Sequence, residues 1–293
     1  EIRELKSEFK SLLDLFPFEA EPPLPAKSRK LSWPVDVGRG TYTVLADIRR
    51  QIAFLGELLV SLGRALMHPK EIRWRDALAV ADAAGVNALP IITLMGFLIG
   101  LILAFQSAVP LKQFGAELYV ADLVAISVVR ELGPLMTAIL LAGRSGSAFA
   151  AEIGTMKVNE EIDALTTMGL GPVRFLVVPR ILAGTFVSPL LTLYFNLVAL
   201  VGAAVVVMSF GYPIVTYNNQ VMHALTLTAV LSGLLKSFVF GIIIAGVGCQ
   251  RGLTTGTGAI AVGVSTTKSV VAGILLTILV DGVFSVVYYA LGV

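Results

Sequence analysis

Four ionisable residues stand deep in apolar sequence, where a charge needs a reason. Arg130 and Glu131 lie midway along one long hydrophobic stretch, Lys236 midway along another and Asp281 midway along a third. Each is about 11 or 12 residues from the ends of its stretch, roughly 17 Å at helical rise, too deep for a side chain to snorkel to water. A charge at that depth costs at least about 2.5–3.5 kcal/mol, so it faces a partner or a watery cavity. Both signs are present, so one reading is mutual pairing that only holds helices together. The other is that these groups line a substrate cavity or respond to its opening. Pro134 follows Arg130 by one turn and removes the amide that would bond its carbonyl, which loosens the helix beside the charges.

Other chemistry finds little support. One cysteine, Cys249, and two histidines, His68 and His223, make neither a disulfide framework nor a convincing zinc site. Gly256-Thr-Gly258-Ala-Ile-Ala261 satisfies the loose dinucleotide fingerprint, but an apolar span precedes it where a strand is required. In the run from Gly263 to Lys268-Ser269, Thr267 occupies the position before the lysine where a phosphate loop needs glycine. Without a Walker A motif the chain needs no cofactor of its own, and any ATP and Mg must be bound by a partner subunit. No nucleophile with a base at shared depth is visible, which disfavours an intramembrane enzyme acting on lipid.

The elements that carry the four charges are membrane spans. The chain of 293 residues is 56% hydrophobic and 14% charged, with mean hydropathy +0.85, whereas soluble domains carry about a quarter charged residues. Apolar stretches near 88–109, 120–143, 181–208, 225–249 and 269–292 are each long enough to cross roughly 30 Å of hydrocarbon. Pro189 and Asn196 lie in the third, the longest, which is expected to tilt or kink. Of the 22 Lys and Arg residues, 13 precede the first stretch. Segments 144–180 and 250–268 add Arg144, Lys157, Arg174, Arg180, Arg251 and Lys268, while the two opposite connections contain only Lys112. The positive-inside rule then places the N-terminus in the cytoplasm and the C-terminus outside.

Ahead of the spans, residues 2–16 read as a short amphipathic helix and 17–40 as a Pro-rich, basic linker. From Thr41 to Met67 the apolar residues Val44, Leu45, Ile48, Ile52, Leu55, Leu59, Leu62 and Leu66 form one stripe, as a helix lying in the membrane interface requires, the alternative being a soluble amphipathic helix packed on a protein core. Trp74 between Arg73 and Arg75 suits an interfacial anchor. Gly96 and Gly100 form a GxxxG, a mark of close helix packing that spacing assigns neither to one chain nor to two. Residues 151–171 interrupt the hydrophobic pattern. They can form a short helix with Lys157, Glu160, Glu161 and Asp163 exposed and with Met156, Ile162, Leu165 and Met168 on apolar faces, either a solvated connection or a handle for a soluble partner.

One block is more specific than these features. Arg130-Glu131-Leu132-Gly133-Pro134, Ala142-Gly143-Arg144-Ser145-Gly146-Ser147, Ala151-Glu152-Ile153-Gly154, Met156 and the Glu160-Glu161 segment closing at Leu165 resemble the MlaE family of ABC-transporter permeases. The resemblance runs from about Thr41 to the C-terminus, so 41–293 is the expected permease domain. Residues 1–40 are similar to the tail and linker of the STAS-like domain that some relatives carry. It implies a homodimer in the bacterial inner membrane that docks a cytoplasmic ABC ATPase beneath a periplasmic ring of MCE-domain proteins, with a STAS-domain protein as a further partner. The resemblance also implies a lipid cavity walled by Leu103, Leu111 and Phe114, and it matches the charged groups of the family's spans to Arg130, Glu131, Lys236 and Asp281. Residues 155–168 match the ATPase-coupling segment, with Lys157, Glu160, Glu161, Ile162 and Leu165 in that role.

The expected fold is therefore an all-α membrane protein, an interfacial helix followed by five transmembrane helices, with a short coupling helix between spans two and three. The expected function is transport of phospholipid between the inner membrane and the periplasm or outer membrane, driven by a separate ATPase. A secondary transporter in which Glu131 or Asp281 carries a coupling proton is the competing expectation.

Overall fold

The computed structural model describes residues 49, 53–54, 56–64, 67–68 and 72–292. The expected helix over 2–16, the linker over 17–40, the STAS-like reading and much of the interfacial helix lie outside the described residues. Residues 56–64 are helical, and Leu58 is buried there beside Phe54 and Leu62 while Leu59 and Val60 are exposed. The inward face thus runs through Phe54, Leu58 and Leu62 at i, i+4 spacing, and Leu59 of the expected stripe belongs to the outward face.

The remaining elements are helical. Helix α1 (Trp74–Val86) leads into α2 (Leu89–Lys112), the first span. The second, α3 (Glu117–Val158), is followed by the short α4 (Glu161–Thr167) and the third span, α5 (Val173–Ser209). A connecting helix, α6 (Ile214–Ala224), precedes the fourth and fifth spans, α7 (Leu227–Leu253) and α8 (Ala259–Leu291). Among the described residues, five helices are thus long and apolar enough to cross a membrane. We call the end where Leu89 starts the first span proximal, and the other end distal.

Three spans, α3, α5 and α8, are clearly longer than hydropathy indicated. At about 1.5 Å per residue, α3 is roughly twice as long as a 30 Å hydrocarbon layer is thick. The hydrophobic signal fades at Arg144, but half of residues 147–158 (SAFAAEIGTMKV) are good helix formers, none is proline, and the helix continues through them. α8 likewise begins ten residues before the expected 269. α5 remains helical through Pro189 and Asn196 from Val178 to Ser209.

α5 and α7 form the centre, with 56% and 50% of their most apolar windows buried against 22% for α2 and 17% for α8. The GxxxG acts within the chain: a Cβ on Gly100 would collide with the Ala199 carbonyl, so α2 approaches α5 backbone to backbone. Thr93 and Tyr194 share a hydrogen bond of 2.8 Å across the same pair. At the distal end the Tyr217 hydroxyl donates to the Leu200 carbonyl at 2.8 Å, and burial pushes that hydroxyl's pKa up to about 12. Gln220 donates to Asp122 at 2.7 Å, which ties α6 to α3. One apolar core, including Ile92, Val124, Phe195 and Phe240, fills the middle of the bundle. A second, including Phe149, Ile153, Ile162, Val177 and Ile181, gathers where α4 turns back.

Close approach at Gly100 sets a test. Gly100→Ala should lower the melting temperature of the purified protein, because overpacking costs about 1–3 kcal/mol. Gly246→Ala, where an added Cβ meets nothing within 4 Å, should leave it unchanged or raise it, since alanine is the better helix former. Equal melting temperatures for wild type and Gly100→Ala would show that α2 and α5 do not need this contact.

Candidate functional site

Lys236 brings the deep charges together. Its ammonium is fully buried and donates to Glu131 Oε2 at 2.6 Å and to Asp281 Oδ1 at 2.9 Å, which joins α7 to both α3 and α8. Glu131 keeps 39% of its side chain exposed and Asp281 only 11%. The pairing is asymmetric: one arm is sealed between helices and the other borders open space. Gly233, one turn before Lys236, makes the approach feasible, since a Cβ there would strike the Val129 carbonyl of α3.

The open space is a cavity of about 410 Å³ lined by Arg130, Glu131, Lys236, Ser285, Tyr288 and Tyr289 and reaching Gly292 at the distal end of α8. Ser285 Oγ donates to the Asp281 carbonyl at 3.1 Å and lies 3.5 Å from Glu131 Oε1. Tyr288 donates to the Ser232 carbonyl at 3.1 Å and sets its ring 5.6 Å from the Lys236 ammonium. Ser285 and Tyr288 were not singled out from the sequence, although they stand four and seven residues beyond Asp281 on the same helical face. Two cations, one carboxylate and hydroxyls therefore line one opening among apolar spans, with the Asp281 carboxylate sealed behind Lys236.

Local backbone geometry places these groups. Val128–Leu132 forms a π-helical turn, in which the Gly133 amide bonds the Val128 carbonyl. This wider turn lies just before Pro134, where an ordinary helix would lack a donor for Arg130, and it presents Arg130 and Glu131 from one widened loop of helix. Gly133 is packed against Asn196 of α5, with no room for a Cβ. A second π turn covers Ala142–Gly146 and a third, Val173–Val177, opens α5. The first overlaps the Arg130–Pro134 block and the second lies within the Ala142–Ser147 block, a correspondence that residue spacing alone did not reveal.

At the proximal end, α3 stops at Val158 and the chain reverses at Asn159–Glu160, with Glu160 in the left-handed region at φ 62°. Lys157 donates to Asp163 at 3.0 Å and Asn159 to Glu161 at 3.3 Å, so the turn is fastened by its own side chains. Glu160 and Glu161 are exposed. Ile162 is 4% exposed and, with the half-buried Leu165, packs on this chain's own core of Phe149, Ile153 and Ile181. Their groove is thus internal: these two residues anchor α4 instead of reaching out to another surface. Leu103 and Leu111 are half-buried against the central core, and Phe114 is 81% exposed just past the distal end of α2. The structure does not bring these three to the charged cavity.

Comparison with known proteins matches this arrangement to one family. The sequence pattern of the family described as Permease MlaE covers residues 77–287. A probable ABC transporter permease protein of Rickettsia typhi is 37% identical over 67% of this chain and 76% of its own length. A probable ABC transporter permease protein of Synechocystis is 38% identical over 73% of this chain and 82% of its own. The intermembrane phospholipid transport system permease protein MlaE of Haemophilus influenzae is 31% identical over 81% of this chain and 93% of its own. The matched region includes all three π turns, the short helix α4 and the residues Glu131, Lys236 and Asp281 that join three spans, and the chain belongs to the MlaE permease family, as a multi-pass membrane permease and not an enzyme.

Proposed function

We propose that this chain is the membrane subunit of an ABC transporter that moves phospholipid between a bacterial inner membrane and the periplasm or outer membrane. The observation that carries this reading is the Lys236 clamp. It joins three spans beside a cavity that opens at the distal end. Positive-inside bias supports a cytoplasmic proximal end and N-terminus, with the distal end and C-terminus in the periplasm. The relative in Haemophilus is named for phospholipid transport, and family membership favours ATP drive over proton coupling by Glu131 or Asp281. In this reading two copies form a homodimer around the lipid, and Leu103, Leu111 and Phe114 wall a lipid space between the subunits that is separate from the charged cavity of each chain. Exposed Phe114 is suited to a surface that another chain or lipid covers. A ring of MCE-domain proteins receives or delivers lipid at the distal end, and a STAS-domain protein is a further regulatory partner.

Energy enters at the proximal end. ATP and Mg belong to a separate ATPase, which contacts the exposed turn formed by Lys157, Glu160 and Glu161, while Ile162 and Leu165 fix that turn to the spans. Because α4 is seated on the core that also holds Phe149 of α3 and Ile181 of α5, a push on the turn is delivered to two spans at once.

Two experiments test the reading. Lys236→Met leaves two carboxylates without their cation and should destabilise the protein by about 3–5 kcal/mol. The triple variant Lys236→Met, Glu131→Gln, Asp281→Asn removes all three charges and should recover most of that stability. Its ATP-driven phospholipid transfer, reconstituted with the ATPase in vesicles, should stay near background. Wild-type transfer by the folded triple variant would reduce the clamp to a structural tie.

Reversing Glu160 and Glu161 to Lys gives up only the exposed Asn159–Glu161 hydrogen bond and should cost no more than about 1 kcal/mol of stability. Recovery of the ATPase in pull-down and lipid-stimulated ATP hydrolysis should both fall. Unchanged recovery and hydrolysis would move the coupling contact elsewhere.

A further inference from the structure

A second cavity, of about 340 Å³, lies at the proximal end between α1 and α3, far along the bundle from the Lys236 clamp. Its wall is apolar on the α1 side, where Ala79, Val80 and Ala83 present small side chains, and Phe149 closes the α3 side. Polar groups enter from the second π turn, Ala142–Gly146, which supplies Arg144 and Ser145. Among the described residues the Arg144 guanidinium has no hydrogen-bond or ion-pair partner. Ser145 is only 6% exposed, yet its hydroxyl also lacks a partner. Glu152 lies in the same lining but is engaged by Arg180 at 2.8 Å, so that pair contributes no net charge and Arg144 leaves the cavity positive. Asn87 commits one amide hydrogen to the Ala83 carbonyl at 2.9 Å and retains another.

We infer that this cavity binds a phosphate group, with Arg144 as the charge-bearing donor and Ser145 and Asn87 as supporting donors. A guanidinium matches phosphate by its planar fork of N–H groups, and an unpaired one beside a partly buried cavity is stabilised by such an anion. Position indicates how the phosphate arrives. Arg144 lies 27 residues beyond Glu117, about 40 Å of helical rise and thus past roughly 30 Å of hydrocarbon. That is headgroup depth in the leaflet at the proximal end. The small side chains of α1 leave space for the glycerol region of a phospholipid, and a free phosphate from solution meets the same donors. The inference rests on the proposed function only for which leaflet is cytoplasmic. It adds a phosphate site on the side opposite the clamp cavity, where a lipid is held before or after transport.

The test uses the full chain in detergent micelles and two probes. Native mass spectrometry after exchange with phosphatidylglycerol should show wild type retaining one phospholipid more per chain than Arg144→Gln. Ala83→Leu, an exposed position on a helix where leucine is well tolerated, should lose the same lipid by filling the cavity, and it carries the test if Arg144→Gln does not fold. Diacylglycerol, which lacks phosphate, should not replace that lipid. In lipid-free micelles, calorimetric binding of inorganic phosphate should weaken about tenfold in Arg144→Gln, the scale of a charged hydrogen bond. Dependence on Arg144 in the lipid arm identifies a headgroup, and dependence in the phosphate arm alone identifies a free anion. The site is overturned if neither probe depends on Arg144 and Ala83, or if diacylglycerol is retained as well as phosphatidylglycerol. ATP-driven transfer by wild type is measured in parallel. Intact transfer with variant-independent binding removes this site alone, whereas Arg144-dependent binding without any transfer removes the proposed function and leaves the site.

Discussion

The fold depends on where a buried ammonium finds its counter-charges. Lys236 has none of its surface exposed and sits between apolar spans, so α3 and α8 must each bring a carboxylate within 2.9 Å of it. Removing one partner of such a set costs more than replacing the whole set by apolar groups. That asymmetry forces three helices into one register. Gly233 then follows as a steric condition, because only a residue without a Cβ lets α7 approach the Val129 carbonyl of α3 closely enough for the ammonium to reach. The π turn at Val128–Leu132 follows as a backbone condition, because it places Glu131 at the same level as Lys236 while accommodating Pro134.

From this point the helices reach both ends of the bundle. α3 runs from Glu117 through the clamp to Val158, where α4 turns back onto the proximal core. A long helix interrupted by two wider turns has places to change its twist without breaking, and such turns recur at functional sites. Coupling between ends requires an element with two arrangements that both ends bias. The clamp is a candidate for that element because its two arms differ. The Asp281 arm is enclosed, while the Glu131 arm borders the distal cavity and is free to exchange its bond for water or a polar headgroup.

Much of this was legible in the sequence. The five spans, the depth of the four charges and the amphipathic character of α4 follow from hydropathy and helical period, because lipid leaves a strong compositional mark. Other features were not. Hydropathy ends the second span at Arg144, since it measures membrane solubility and not helicity, and residues 147–158 are helical without being strongly apolar. The outward position of Leu59 and the internal seat of Ile162 depend on which neighbour a helix meets, and periodicity only says that a face is apolar. The first two π turns overlap the blocks that signalled the family, yet a single sequence carries no separate mark of an i→i+5 bond. That Lys236 meets both carboxylates was one pairing among several open to four charges.

The choice of lysine at position 236 bears on how such a site opens. An arginine presents a rigid planar fork that favours bidentate contact with one carboxylate, which would commit it to α3 or to α8. An ammonium has three donors around a single charge and serves carboxylates from two directions, as the 2.6 and 2.9 Å contacts here require. It also loses one contact without losing the other. If α3 moves away from α7, the Glu131 bond breaks at a border already in contact with the cavity, and the Asp281 bond keeps the charge compensated. The reverse movement, at Asp281, would expose a sealed carboxylate to hydrocarbon at far higher cost. The burial difference between the two arms therefore makes α3 the span that separates with least penalty, and α3 is also the span that carries the proximal turn.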